Sequence, residues 1–168
     1  MRIALLLLAG LMVLAGTAYG QDTPIGEFAT NYSYFRAGGR GGDNLHGGSV
    51  SGAGNVNSWL GIAGDYGVYH FQPSFTGGIN IHTFTVGPRI SLRSGSRVTP
   101  FGQVLVGGFH GLGTNGFAMS VGGGLDIKVY RLVAIRMAQV EYMMLHAQGD
   151  TLNCARVSAG IVFRFGER

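Results

Sequence analysis

The chain has 168 residues, of which 12% are charged and 31 are glycine, with twelve Lys and Arg against eight Asp and Glu for a formal net charge of +4. The length suits one domain, the charge content is about half that of an ordinary soluble domain, and four prolines without a Gly-x-y period exclude collagen. The basic residues form no run, so nucleic acid finds little support as a partner.

Residues 1–20, MRIALLLLAGLMVLAGTAYG, combine Arg2, an apolar run from Ile3 to about Ala15, and small residues at Ala18 and Gly20. This is the pattern of a secretory signal peptide, and cleavage after Gly20 leaves residues 21–168 as the mature domain. The apolar run is shorter than the roughly 20 residues that a spanning helix needs. An exported chain works where disulfides form, yet Cys154 is the single cysteine and reads as a small packed residue.

Beyond residue 21 no stripe of helical period stands out; what recurs is alternation with period two, interrupted by turn residues. Strands are expected near residues 27–36, 47–54, 59–71, 81–93, 99–110, 117–129, 133–146 and 154–165. In the first, Phe28, Tyr32 and Tyr34 oppose Glu27, Asn31 and Ser33. The second, GGSVSGAG, is weak in pattern and counts because an odd total would leave the chain ends on opposite sides of a membrane. The third sets Leu60, Ile62, Tyr66 and Val68 against Gly61, Ala63, Asp65 and Gly67.

The fourth, HTFTVGPRISLR, carries Arg89 and Arg93 on a row with Thr83, Thr85 and Ser91, while His82, Phe84, Val86, Pro88, Ile90 and Leu92 form the other row. In the fifth, Val104 and Val106 point one way and Gln103 and Leu105 the other. The sixth is the cleanest, with Phe117, Met119, Val121, Leu125, Ile127 and Val129 against Ala118, Ser120, Gly122, Gly124, Asp126 and Lys128. The seventh, VAIRMAQVEYMML, keeps Arg136 and Glu141 on one face only if a bulge near Ala138 resets the parity. The eighth opposes Val157, Ala159, Ile161, Phe163 and Phe165 to Arg156, Ser158, Gly160 and Arg164.

The polar faces together carry Glu27, Asp65, Asp126 and Glu141 with Arg89, Arg93, Lys128, Arg136, Arg156 and Arg164, among many Gly, Ser and Ala. A wet outer surface would be richer in Lys and Glu, whereas small residues and paired charges suit the inside of a narrow barrel. The apolar rows then face lipid. A sheet in hydrocarbon must close on itself, because an open edge would leave backbone N–H and C=O groups unpaired. The expected fold is therefore all-β: an eight-stranded antiparallel transmembrane β-barrel of up-and-down meander topology. Its lumen is just wide enough for side chains to fill, and its ten charged residues should plug it.

The turns at 55–58, 94–97 and 130–132 are short, and the connections at 37–46, 72–80, 111–116 and 147–153 lie at the other end. All five histidines, His46, His70, His82, His110 and His146, fall near that second end, with His70 and His82 expected to approach across the second connection. Without a Cys partner or a metal-binding spacing they read as interfacial residues, and no metal or cofactor is expected. Among the aromatics, Trp59, Phe101, Tyr130 and Phe165 belong to one lipid-facing girdle and Tyr34, Tyr66, Phe84 and Phe117 to the other. Tyr69 follows the inward parity. No catalytic residues are expected: G-x-S-x-G is absent, and His82 and Asp65 fall on opposite faces.

The segments FTVGPRISL, VTPFGQVLVGGFHG, FAMSVGGGLDIKV, VAIRMAQVEYM and RVSAGIVFRFG resemble the outer-membrane β-barrel domain family that includes the OmpA transmembrane domain and OmpX-like porin-family small barrels. The resemblance covers residues 27–166. It implies a multi-pass protein of a Gram-negative outer membrane with N- and C-termini in the periplasm, in contact with outer-membrane lipids and lipopolysaccharide. It implies no enzyme. The terminal strand, with Ile161, Phe163 and Phe165, resembles the segment read by the outer-membrane barrel assembly machinery, although Gly166, Glu167 and Arg168 follow the last aromatic. Three roles come from this reading: a structural or surface-interaction barrel whose external connections meet an unidentified ligand, a narrow ion or small-solute channel, and a soluble lipocalin-like barrel with an apolar lumen.

Overall fold

The computed structural model describes residues 23–37, 44–71, 79–93, 97–111 and 113–167. The expected signal peptide, most of the connections at 37–46 and 72–80, and most of the turn at 94–97 lie outside the described residues.

Eight strands follow one another: β1 (Pro24–Ala37), β2 (Asn44–Asn55), β3 (Leu60–Phe71), β4 (Ile79–Ser91), β5 (Val98–Gly111), β6 (Thr114–Lys128), β7 (Val133–Ala147) and β8 (Asp150–Glu167). Each pairs antiparallel with the next, and β8 returns to β1 to close the barrel. Closure leaves no unpaired edge. The strand that alternates least in sequence, β2, is held over nearly all of its length by both neighbours, from Arg36↔Asn44 to Gly26↔Gly54 on one side and from His46↔His70 to Asn55↔Gly61 on the other.

The strands run further than their sequence pattern suggests at the end away from the termini. The expected connection at 147–153 shrinks to Gln148 and Gly149, whose φ angles of 52° and 91° are both left-handed. Two successive positive φ values are the signature of a tight hairpin turn whose twist matches the strands it joins, so β7 and β8 stay paired up to Ala147↔Asp150. At the termini end, Asn57 Oδ1 accepts hydrogen bonds from the backbone N–H groups of Trp59 (3.0 Å) and Leu60 (2.7 Å), pinning the β2–β3 turn.

The bulge required by the sequence of β7 is present. Register with β8 slips between Arg136 and Gln139, and the slip against β6 falls between Leu125 and Asp126. Ile135, Met137, Val140 and Tyr142 consequently point outward while Arg136, Gln139 and Glu141 point inward.

The barrel is apolar outside and charged within. Ile62, Phe84 and Met137 are 58–59% exposed, whereas Arg136, Glu141, Arg156 and Asp126 are at most 1% exposed. The interior is layered. Nearest the connections Phe35, Leu45, Tyr69, Ala118, Met143, Leu145 and Cys154 form an apolar cap, with Ile81 and Phe109 against it. Charged side chains fill the space below. Smaller apolar groups, Ala29 with Ala134 and Val162, and Ala53 with Ala63 and Leu105, line the wall.

Candidate functional site: the charged interior

Three of the four buried carboxylates among the described residues have an arginine directly opposite in the ladder: Glu141↔Arg156, Asp126↔Arg136 and Glu27↔Arg164. Directly opposed residues on one face lie close enough for their side chains to meet. Alternation puts each pair inward, and the bulge in β7 keeps Arg136 and Glu141 on the same side.

The upper cluster is built around Arg156. Its Nε donates to Glu141 Oε2 at 2.6 Å and its Nη2 to the same carboxylate, while Nη1 crosses the lumen from β8 to Asp65 on β3 at 2.7 Å. The same Nη1 reaches the Tyr69 hydroxyl, and Gln103 Nε2 donates to the other Glu141 oxygen at 2.9 Å. Tyr69 lies in the lumen because Gly67 and Gly47 leave space for its ring; a Cβ at Gly67 would collide with the Tyr69 hydroxyl and ring, and one at Gly47 with Cδ1 at 2.7 Å. This cluster holds one guanidinium and two carboxylates.

The lower cluster is a chain. Arg136 grips Asp126 with two hydrogen bonds of 2.8 and 3.1 Å, and its Nη1 donates to Gln139 at 2.9 Å and reaches towards Ser51 on β2 at 3.5 Å. Such two-point contacts fix orientation as well as charge. Arg89 links Asp126 (3.1 Å) to Glu27 (3.4 Å), and Arg93 and Arg164 approach Glu27 Oε1 at 3.1 and 3.3 Å. Arg93 also donates to the Ser58 carbonyl at 2.9 Å, and Arg164 reaches Thr99 Oγ1 at 3.4 Å.

Two sequence expectations require correction here. Lys128 was assigned to the network on parity, but it ends β6, is exposed, and makes no ion pair among the described residues. A flexible stem at a strand end carries its ammonium to water at little cost. Phe101, expected in a lipid-facing girdle, is buried inside. Its ring lies 3.9 Å from the guanidinium carbon of Arg89 and 4.6 Å from that of Arg136, an arrangement in which the ring face offers electron density to both cations. Phe101 shares the parity of Gln103 and Leu105, and that was the signal available. The other nine charged residues assigned to the lumen are all buried.

The histidines stand on the outer face near the connections. His46 faces His70 across β2 and β3, and His82 faces His110 across β4 and β5, while His70 and His82 are diagonal neighbours on β3 and β4, with His70 opposite Asn80 and His82 opposite Val68. Each Nδ1 already has an oxygen neighbour: Tyr32 for His46, Asn80 for His70, Tyr66 for His82, Asn115 for His110 and Thr151 for His146. Among the described residues no group of three or more His, Cys, Asp and Glu could hold a metal ion. In the last strand Ile161, Phe163 and Phe165 all face outward.

The barrel is similar to several solved structures. Neisserial surface protein A (NspA) aligns with a TM-score of 0.72 at 16% identity, over 83% of this chain and 97% of that one. Ail, the attachment invasion locus protein of Yersinia pestis, gives 0.60 at 18% identity over 85% and 99%. The N-terminal β-barrel domain of Pseudomonas aeruginosa OprF gives 0.51 at 15% identity over 85% and 100%. At such identities the likeness is one of fold alone, the small closed β-barrel. No family model and no curated protein matches the sequence.

Proposed function

We propose that this chain is a small integral outer-membrane barrel with both termini in the periplasm, whose role is structural or is exerted by the surface it presents outside, not by passage of solutes through it. The observation that carries this reading is the inversion of polarity: large apolar residues such as Ile62, Phe84 and Met137 outside, and Arg136, Arg156, Asp126 and Glu141 fully enclosed. A lipocalin-like soluble barrel would place these groups the other way round. Outer-membrane lipids and lipopolysaccharide are the natural surroundings of the apolar belt, and the outward row Ile161, Phe163 and Phe165 suits recognition by the assembly machinery.

Against a diffusion channel stand ion pairs that cross the lumen, Arg156 to Asp65 above and the Glu27, Arg89, Asp126, Arg136 chain below. A fold shared with a protein named for attachment and invasion is compatible with a surface role played by the exposed ends of the strands. Two measurements test the proposal. Ser58→Cys, in the turn at the termini end, should resist an impermeant maleimide on intact cells, and Asp150→Cys, at the opposite end, should react; the reverse pattern would invert the orientation. Purified barrel in planar bilayers should give no steady openings, and openings abolished by Arg89→Ala or Arg136→Ala would refute the plugged lumen.

A further inference from the structure

The two clusters of the lumen are not balanced. Among the described residues the upper one has Arg156 with Asp65 and Glu141, an excess of one negative charge, and the lower one has Arg89, Arg93, Arg136 and Arg164 with Glu27 and Asp126, an excess of two positive charges. Buried charge without a counter-charge is expensive. Part of the excess is met by Phe101, whose face is shared by Arg89 and Arg136. That leaves Arg93 and Arg164, which converge within 3.3 Å of one oxygen, Glu27 Oε1.

Unsatisfied atoms concentrate at the same place. The Nε groups of Arg89 and Arg93 have no hydrogen-bond partner, and Arg164 Nε and Glu27 Oε2 have only ion-pair contacts, 3.3 Å to Glu27 Oε1 and 3.4 Å to Arg89 Nη2, although all four residues are more than nine-tenths buried. A guanidinium N–H is a donor only, so an excess of unpartnered N–H groups calls for an acceptor. Arg93 and Arg164, 7% and 8% exposed, are less enclosed than Arg136 and Arg156 and lie toward the termini end, Arg164 opposite Glu27 and Arg93 against Ser58 of the β2–β3 turn.

We propose that the termini end of the lumen is an anion site, in which a small monovalent inorganic anion of the halide class sits between Arg93 and Arg164, beside Thr99. The nearby Glu27 carboxylate, which Arg93 and Arg164 both approach, disfavours a multiply charged oxyanion and suits a compact single charge. The site rests on the closed, inward-charged barrel and is independent of whether the lumen conducts, so a conducting barrel would leave it standing.

The test uses the intact folded barrel in detergent. Crystals grown with sodium bromide should give an anomalous peak between Arg93 and Arg164. The temperature at which the folded gel band is lost should rise by about 2–4 °C when bromide replaces gluconate at constant ionic strength. Arg93→Gln and Arg164→Gln should lose that anion dependence, and Glu27→Gln, which enlarges the excess, should reach half of the effect at lower bromide. Should a variant fail to fold, the wild-type measurements decide alone: no bromide peak there and equal transition temperatures in bromide and gluconate would overturn the proposal.

Discussion

Arg156 and Glu141 stand directly opposite one another on β8 and β7, and the guanidinium takes the carboxylate through Nε and Nη2 while its Nη1 holds Asp65 on the far wall. One cation thus joins three strands. Its removal leaves two carboxylates enclosed without a counter-charge, Glu141 keeping only the hydrogen bond from Gln103, and breaking such a buried pair costs about 3–5 kcal/mol. Arg156→Met is expected to lower stability by that amount in urea unfolding of the barrel in lipid vesicles. Combining it with Asp65→Asn and Glu141→Gln should recover most of the loss; a single variant as stable as the wild type would show that the pair is dispensable.

Phe101 should behave as an interior cation partner. Replacing it by Leu keeps an apolar side chain but removes the ring face from Arg89 and Arg136, for an expected loss of about 1–2 kcal/mol. Phe84→Leu, on the lipid face, serves as the comparison and should change the unfolding midpoint little. Equal effects at both sites would mean that Phe101 contributes only bulk.

Gly67 is required by its neighbour and not by its backbone. Gly67→Ala should force the Tyr69 ring away from Arg156 and cost about 1–3 kcal/mol. In a Tyr69→Ala background the same change should be close to neutral, a coupling that a double-mutant cycle reads directly. Additive effects would separate the two residues.

Lys128 and Arg136 share parity and differ in fate. Lys128→Gln should leave the unfolding midpoint where it is, because the side chain is exposed and unpaired among the described residues. Arg136→Gln should lower the midpoint strongly, since Asp126 then loses a two-point contact in an enclosed site. A comparable effect of both would return Lys128 to the interior.

Alternation made most of this legible, because in a barrel with one face in lipid a residue's parity decides its surroundings. Even the bulge in β7 could be inferred, since without it Glu141 would point into hydrocarbon. Parity says nothing of how far a strand runs: the Gln148–Gly149 turn, which extends β8 back to Asp150, depends on two left-handed residues that the composition of the segment does not announce. Nor could it name partners across the lumen. Arg156 meets Asp65 through the stagger of the strands, a global property of the closed sheet that no local segment encodes. At Phe101 residue type misled where position was informative.

Glu27 and Arg164 face one another across β1 and β8, the seam where the first and last strands of the sheet meet. A slip of one residue at that seam would rotate the displaced strand's charged side chain from the lumen into acyl chains, where an ionised group costs about 2.5–3.5 kcal/mol or more. Misaligned closure is thereby penalised twice, at the displaced charge and at the partner left behind in the lumen. The pair fixes the register of the joint on which closure of the sheet depends.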